Sequence, residues 1–206
     1  MQWYQEEIRR LERKAVVSSG QPKVGFYGSS TFTRWLDLEQ CFPQVQAVNL
    51  GFGGSTLAAC AWFFERVVPR QQPTMLMVYA GDNDLGDGRN PEEVVLFYKQ
   101  LLACIRASLG EIPVCFVAIK LSPARLHLRG NIEYANDCIN RLVTQKGPPL
   151  HYLDLYSRML DERGRPQPTF FEADGLHLSP KGYALWQHEI GAQLDRMLSD
   201  QHRVKH

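Results

Sequence analysis

The run Met75-Leu76-Met77-Val78-Tyr79-Ala80 is apolar from end to end and is bounded by Pro73-Thr74 and Gly81. It is too short for an ordinary helix and too uniform for a strand with one wet face. It reads as a strand buried on both sides. Such a strand needs helices above and below it, which restricts the chain to an α/β architecture. Further short, β-prone runs lie at Val24 to Tyr27, Val45 to Leu50, Ile112 to Ile119 and Leu150 to Leu155. Helical patterns alternate with them, at roughly Leu57 to Val68, Pro91 to Leu109, Asn131 to Gln145 and Lys181 to Ser199. This order predicts a parallel sheet of about five strands, right-handed crossovers and helices on both faces.

The ends of the chain are read in the same way. Trp3, Ile8, Leu11 and Ala15 recur at helical spacing among charges, predicting a helix from about Trp3 to Val17 that packs by one face. Gly20 and Pro22 close it, so residues 1–20 form an N-terminal helical segment laid on the domain. Trp35, Leu36 and Leu38 predict a short helix before Pro43, and the polar tail 200–206 is expected to fray. No repeat or linker-like tract interrupts the 206 residues, so one domain over 1–206 is expected.

Charge and cysteine usage exclude several functions. A formal net charge of +1 gives no field to draw nucleic acid or an anionic membrane, so neither is expected as a partner. The five cysteines, Cys41, Cys60, Cys104, Cys115 and Cys138, form no CxxC pair and suggest free thiols rather than a zinc knuckle or disulfide framework. The N-terminal stretch lacks the apolar core of a signal peptide, and no run is long enough to span a bilayer. A cytoplasmic protein is expected.

Chemistry gathers where the strands end. The first three are followed by Gly28-Ser29-Ser30, by Gly51-Phe52-Gly53-Gly54-Ser55-Thr56 and by Gly81-Asp82-Asn83-Asp84. In a parallel sheet these loops crowd one edge, the edge where open α/β sheets bind ligands. A serine on such a turn becomes a nucleophile if a base and oxyanion donors are supplied. The Gly54 backbone N–H and the Asn83 amide are donors of the required kind. Asp174 and His177, three residues apart in a loop before the last helix, supply the base. The carboxylate can hold one imidazole nitrogen while the other faces the serine.

Other readings compete. Gly28-Ser29-Ser30 could be an ordinary capped turn, Ser29 could be the nucleophile, and Asn83 could serve only its own turn. Asp82, Asp84, Asp174 and His177 could together hold a metal for phosphoester hydrolysis. The favoured alternatives are that Asp84 accepts from loop backbone and that Asp82 is solvated. Arg125, after Ser122-Pro123 at the same edge, is read as solvated in preference to binding an anionic substrate group.

The four blocks Gly28-Ser29-Ser30, Asn49 to Ser55, Gly81-Asp82-Asn83-Asp84 and Asp174-Gly175-Leu176-His177 resemble the SGNH hydrolase superfamily, the GDSL-type esterases and lipases. They occur in that family's order across residues 28–177. The resemblance implies a flavodoxin-like α/β/α sandwich and a serine esterase acting on a small-molecule ester, with no cofactor and no metal. It implies Ser30 as nucleophile, His177 as base and Asp174 as its orienter. The backbone N–H groups of Ser30 and Gly54 and the Asn83 amide are then the oxyanion donors. Ser29 departs from the commonest pattern, which has Asp there. No lid insertion is evident, so short acyl groups are expected. A non-catalytic binding module on the same fold is the remaining alternative.

Overall fold

The computed structural model describes residues 1–204, with side chains through residue 200. The strands are β1 (Lys23–Gly28), β2 (Gln46–Gly51), β3 (Met75–Tyr79), β4 (Val114–Val117) and β5 (Leu150–Leu153). All pair in parallel, in the order β2-β1-β3-β4-β5. The helices are α1 (Gln5–Glu12), α2 (Ser30–Thr33), α3 (Leu57–Val67), α4 (Asp82–Gly86), α5 (Pro91–Leu109), α6 (Arg129–Lys146), α7 (Leu155–Arg158) and α8 (Pro180–Val204). This strand order places the switch point between β1 and β3, as in flavodoxin-like sheets.

The pleat divides the side chains between two cores. Met75, Met77 and Tyr79 of β3 join Val24 and Phe26 of β1, and α8 covers them with Trp186, Ile190, Leu194 and Met197. Leu76 and Val78 join Tyr27, Leu50 and Phe116 on the other face, under α1, α3, α5 and α6. Every residue from Met75 to Ala80 is fully enclosed, as its unbroken apolar character requires. The result is a three-layer α/β/α sandwich. Asn90 caps α5 with a reciprocal bond to Glu93, and Thr56 caps α3 through Ala59 N–H. Among the described residues no helix is long and apolar enough to cross a membrane.

Three local expectations are corrected. The N-terminal helix stops at Glu12, well short of Val17, after a 3-10 turn over Gln2–Tyr4. Tyr4, Ile8 and Leu11 make its buried face, whereas Trp3 is 74% exposed. Beyond Leu11 the exposed, β-branched Val16 and Val17 offer neither helix propensity nor a face to bury. The helix expected around Trp35 is also displaced. A single turn, α2, begins at Ser30 itself, and Leu38–Gln40 forms a separate 3-10 turn. Trp35 and Leu38 are buried while Leu36 is 93% exposed, so the three never shared a helical face. Last, α8 continues to Val204, past the fraying expected from Asp200, and residues 205–206 of that tail lie outside the described residues.

One contact sets the first turn of the site. Gly28 has φ +145°, and a β-carbon there would lie 1.9 Å from the Tyr79 carbonyl oxygen. Only glycine lets β1 end against the last residue of β3. Gly28→Ala is therefore expected to destabilise the protein by roughly 2–4 kcal/mol. Gly130→Ala, in α6 with open space around it, should stabilise it by up to about 1 kcal/mol. Denaturant midpoints check the pair, and similar shifts for both would contradict this account.

Candidate active site

The turn after β1 separates its two serines. Ser29 N–H donates to the Tyr79 carbonyl at 2.9 Å, which turns the side chain inward. Ser29 is completely enclosed, and its Oγ makes no hydrogen bond among the described residues. Ser30 follows as the first residue of α2 and is partly exposed. Of the two, only Ser30 can meet a substrate. As a first helical residue it also carries a backbone N–H with no acceptor inside the helix.

The loop after β2 is tied to this turn by Phe52 N–H, which donates to the Gly28 carbonyl at 2.9 Å. Gly54, with φ +68°, is exposed at its crest. Its carbonyl accepts from the Tyr4 hydroxyl at 2.8 Å, and the Gly51 carbonyl accepts from Arg10 Nη2 at 3.0 Å. Asn83, in α4 after β3, is partly exposed. Its Nδ2 donates to the Ser55 carbonyl at 3.1 Å, across to the neighbouring loop rather than within its own turn. A primary amide has a second N–H to offer. Thus Ser30, Gly54 and Asn83 stand on three cross-linked loops at one edge.

The loop before α8 carries the acid and the imidazole. Asp174 Oδ1 accepts from the Leu176 and His177 backbone N–H groups at 2.9 and 3.0 Å. Its Oδ2 lies 2.6 Å from His177 Nδ1. The His177 side chain and these N–H groups hold the Asp174 carboxyl well below the usual carboxylate range. The loop is docked onto the serine turn. Tyr183 Oη, in the first turn of α8, donates to the Thr31 carbonyl at 2.9 Å, and Glu172 pairs with Arg34 at 3.7 Å. On its other side Ala124 N–H donates to the Gly175 carbonyl at 3.0 Å.

The remaining acidic residues have structural partners. Asp84 accepts from Leu57 N–H at 2.7 Å, at the amino end of α3, as expected of a loop-bracing carboxylate. Asp82 is not solvated as expected. It is buried, and Oδ2 accepts from Lys120 Nζ at 3.2 Å while Oδ1 accepts from Asn83 N–H at 3.0 Å. Lys120 also donates to Tyr79 Oη at 3.1 Å. Burial works to lower the Lys120 ammonium, but Tyr79 and Asp82 outweigh it and hold it above the ordinary lysine range. Burial, with Asp82, pushes the Tyr79 hydroxyl up to about 12. Among the described residues no three His, Cys, Asp or Glu side chains are grouped to hold a metal ion, so Asp82, Asp84, Asp174 and His177 do not form one ligand set. Arg125 is half-buried, with its guanidinium laid against Gly86 of α4 and making no hydrogen bond or ion pair among the described residues.

Lys120 and Tyr4 are the participants that reading the sequence missed. Lys120 had one signal, a charge closing the apolar run Ile112 to Ile119. Tyr4 had none, being 50 residues from Gly54.

The GDSL-like Lipase/Acylhydrolase family matches the chain over residues 19–185. No curated protein matches it significantly. Among solved structures, a Bacteroides fragilis protein provisionally assigned as an acylhydrolase superposes with a TM-score of 0.79 at 18% identity, covering 96% of this chain and 97% of that one. A GDSL-like lipase from Bacteroides thetaiotaomicron gives 0.75 at 18% identity, covering 95% and 97%. The psychrotrophic esterase EstA from Pseudoalteromonas sp., inhibited by monoethylphosphonate, gives 0.64 at 15% identity, covering 87% and 100%.

The buried Asp84 generates a pH prediction. Burial pushes its carboxyl up to about 6, against the lowering effects of Leu57 N–H and Arg89. A carboxyl raised in the fold favours folding most when protonated. Its contribution is full below about pH 4, the unfolded value, and is lost as the pH rises through about 6. The loss is about 2–3 kcal/mol. Denaturation of wild type and Asp84→Asn from pH 4 to 7 should show a slope in the first that is absent in the second. Parallel profiles would remove Asp84 from this role.

Proposed function

Because the chain belongs to the GDSL-like lipase/acylhydrolase family and is a hydrolase acting on ester bonds, we propose that it works through an acyl-enzyme on Ser30, with His177 as base and Asp174 as orienter. The observation that carries this reading is the 2.6 Å contact between Asp174 Oδ2 and His177 Nδ1, in a loop docked on the turn that exposes Ser30. Asp174, held below the usual carboxylate range, stays ionised. An ionised carboxylate there keeps the proton on Nδ1 and leaves Nε2 to accept from Ser30.

The steps follow from those roles. Ser30 Oγ attacks the ester carbonyl as its proton passes to His177 Nε2. The carbonyl electrons move onto oxygen, giving a tetrahedral oxyanion. The Ser30 and Gly54 N–H groups and the free N–H of the Asn83 amide donate to it. The C–O bond to the alcohol breaks as His177 returns the proton to that oxygen, leaving acyl-Ser30. Water then enters, gives a proton to His177 and attacks the acyl carbon. Collapse of this second tetrahedral species releases the acid and restores Ser30. The partner is a small-molecule ester, and no step calls on a cofactor. The five cysteines are all free thiols, which supports a reducing, cytoplasmic setting.

Two substitutions test the reading. Ser30→Ala should lower turnover of an activated ester at least about 10³-fold, and Ser29→Ala should retain most of it. The reverse order would move the nucleophile one residue. The oxyanion carries full charge only at the tetrahedral stage, so Asn83→Ala should act on kcat more than on KM. The expected fall in kcat is about 10²–10³. A folded Asn83→Ala protein with near wild-type kcat would remove Asn83 from the oxyanion site.

A further inference from the structure

Gly53 and Gly54 are exposed, and a β-carbon placed on either would meet nothing within 4 Å. The crest of this loop is therefore held by no side-chain packing around these two residues. A glycine at φ +68° has two soft dihedrals, and rotation about them would swing its N–H away from a fixed point. Hydrogen bonds to the loop's carbonyls must supply the stiffness. The Ser55 carbonyl is taken by Asn83, inside the site. The carbonyls of Gly51 and Gly54 are taken from outside, by Arg10 and Tyr4 of the N-terminal segment.

Tyr4 is built for that task. The residue is 3% exposed, and its ring lies edge-on to Phe52 and Phe63, with centroids 5.4 and 6.1 Å away. Packing against Phe52 of the loop and Phe63 of α3 thus fixes where the hydroxyl points. The hydroxyl grips the peptide plane that follows Gly54, and the donor N–H lies on the plane before it. With both planes sharing one glycine, holding the second restricts the first. Residues 1–18 precede the range that the family matches, so this brace comes from a segment outside that range.

We propose that Tyr4 is a positioning residue that aims the Gly54 N–H, making the N-terminal helical segment a working part of the oxyanion site. This rests on the reading of Gly54 as an oxyanion donor. A donor aimed in advance stabilises the tetrahedral species without reorganising as it forms. Loss of the brace should therefore appear in kcat, with little change in KM.

The test is Tyr4→Phe, which deletes one oxygen and keeps the ring. Its control is Tyr27→Phe, which deletes the same atom from an equally buried tyrosine whose hydroxyl donates to the Cys60 carbonyl at 2.8 Å, within α3 and not on the glycine loop. Steady-state kinetics on one activated ester and melting temperatures are measured for both, alongside Asn83→Ala. A hydrogen bond of this kind corresponds to a roughly three- to ten-fold fall in kcat. That fall is expected for Tyr4→Phe with KM little changed, while Tyr27→Phe loses comparable thermal stability and keeps its kcat. Equal kcat for the two tyrosine variants would overturn the inference. If Asn83→Ala lowers kcat in the same series, the failure belongs to Tyr4 alone. If Asn83→Ala keeps its kcat too, the oxyanion reading fails with it.

Discussion

The hydrogen bonds between the loop after β2 and the helix after β3 hold the rest of the site in place. Asp84 reaches across to Leu57 N–H at 2.7 Å, and Asn83 reaches across to the Ser55 carbonyl at 3.1 Å. The first bond puts a carboxylate wholly inside the protein, at the amino end of α3, where backbone N–H groups and the helix dipole favour negative charge. That favour does not offset the loss of water, since the carboxyl is still pushed up to about 6. The fold thus tolerates a poorly solvated acid, and in return segments following two different strands are tied together. Because β1 lies between β2 and β3 in the sheet, these bonds join loops that leave the sheet on either side of the serine turn.

Three acidic residues at this edge illustrate how surroundings assign roles. Asp84, enclosed and short of partners, is pushed up. Asp174, accepting from two backbone N–H groups and His177, is held well down and keeps its charge for the imidazole. Asp82 finds a buried ammonium, Lys120, and passes that fixation to the Asn83 backbone through its other oxygen. Breaking such a buried pair by removing one partner leaves the other charge stranded, which usually costs about 3–5 kcal/mol. The edge proposed as the oxyanion site is thus braced by bonds at its strands and helices, and has the fewest side-chain neighbours at the crest of the glycine loop.

Much of this was legible in the residues. The uniform run Met75 to Ala80 demanded a doubly covered strand, and both of its faces are indeed covered. The polar blocks after three successive strands pointed to one edge, and the sheet delivers them there. Ser29 and Ser30 could not be told apart by spacing. Their exposures differ because the Ser29 backbone pairs with Tyr79 on another strand, which is a tertiary fact. Asp82 reads as solvated in the sequence because its partner Lys120 lies 38 residues away, in the loop after β4. The sequence pattern overstates the N-terminal helix because Ala15 to Val17 extend its apolar run, whereas the surface available for burial ends near Leu11. Local pattern fixes which residues can face inward, and only packing decides where the inward surface stops.

The central claim is that Ser30 is the nucleophile. It is tested most directly by treating the protein with an alkyl fluorophosphonate and locating the adduct by fragmentation of the labelled peptide. A serine activated by an imidazole attacks phosphorus and expels fluoride, leaving a stable ester on its Oγ. The account predicts a single adduct, on Ser30, because Ser29 Oγ is enclosed and out of reach. An adduct on Ser29, or no adduct in protein that still hydrolyses esters, would contradict it.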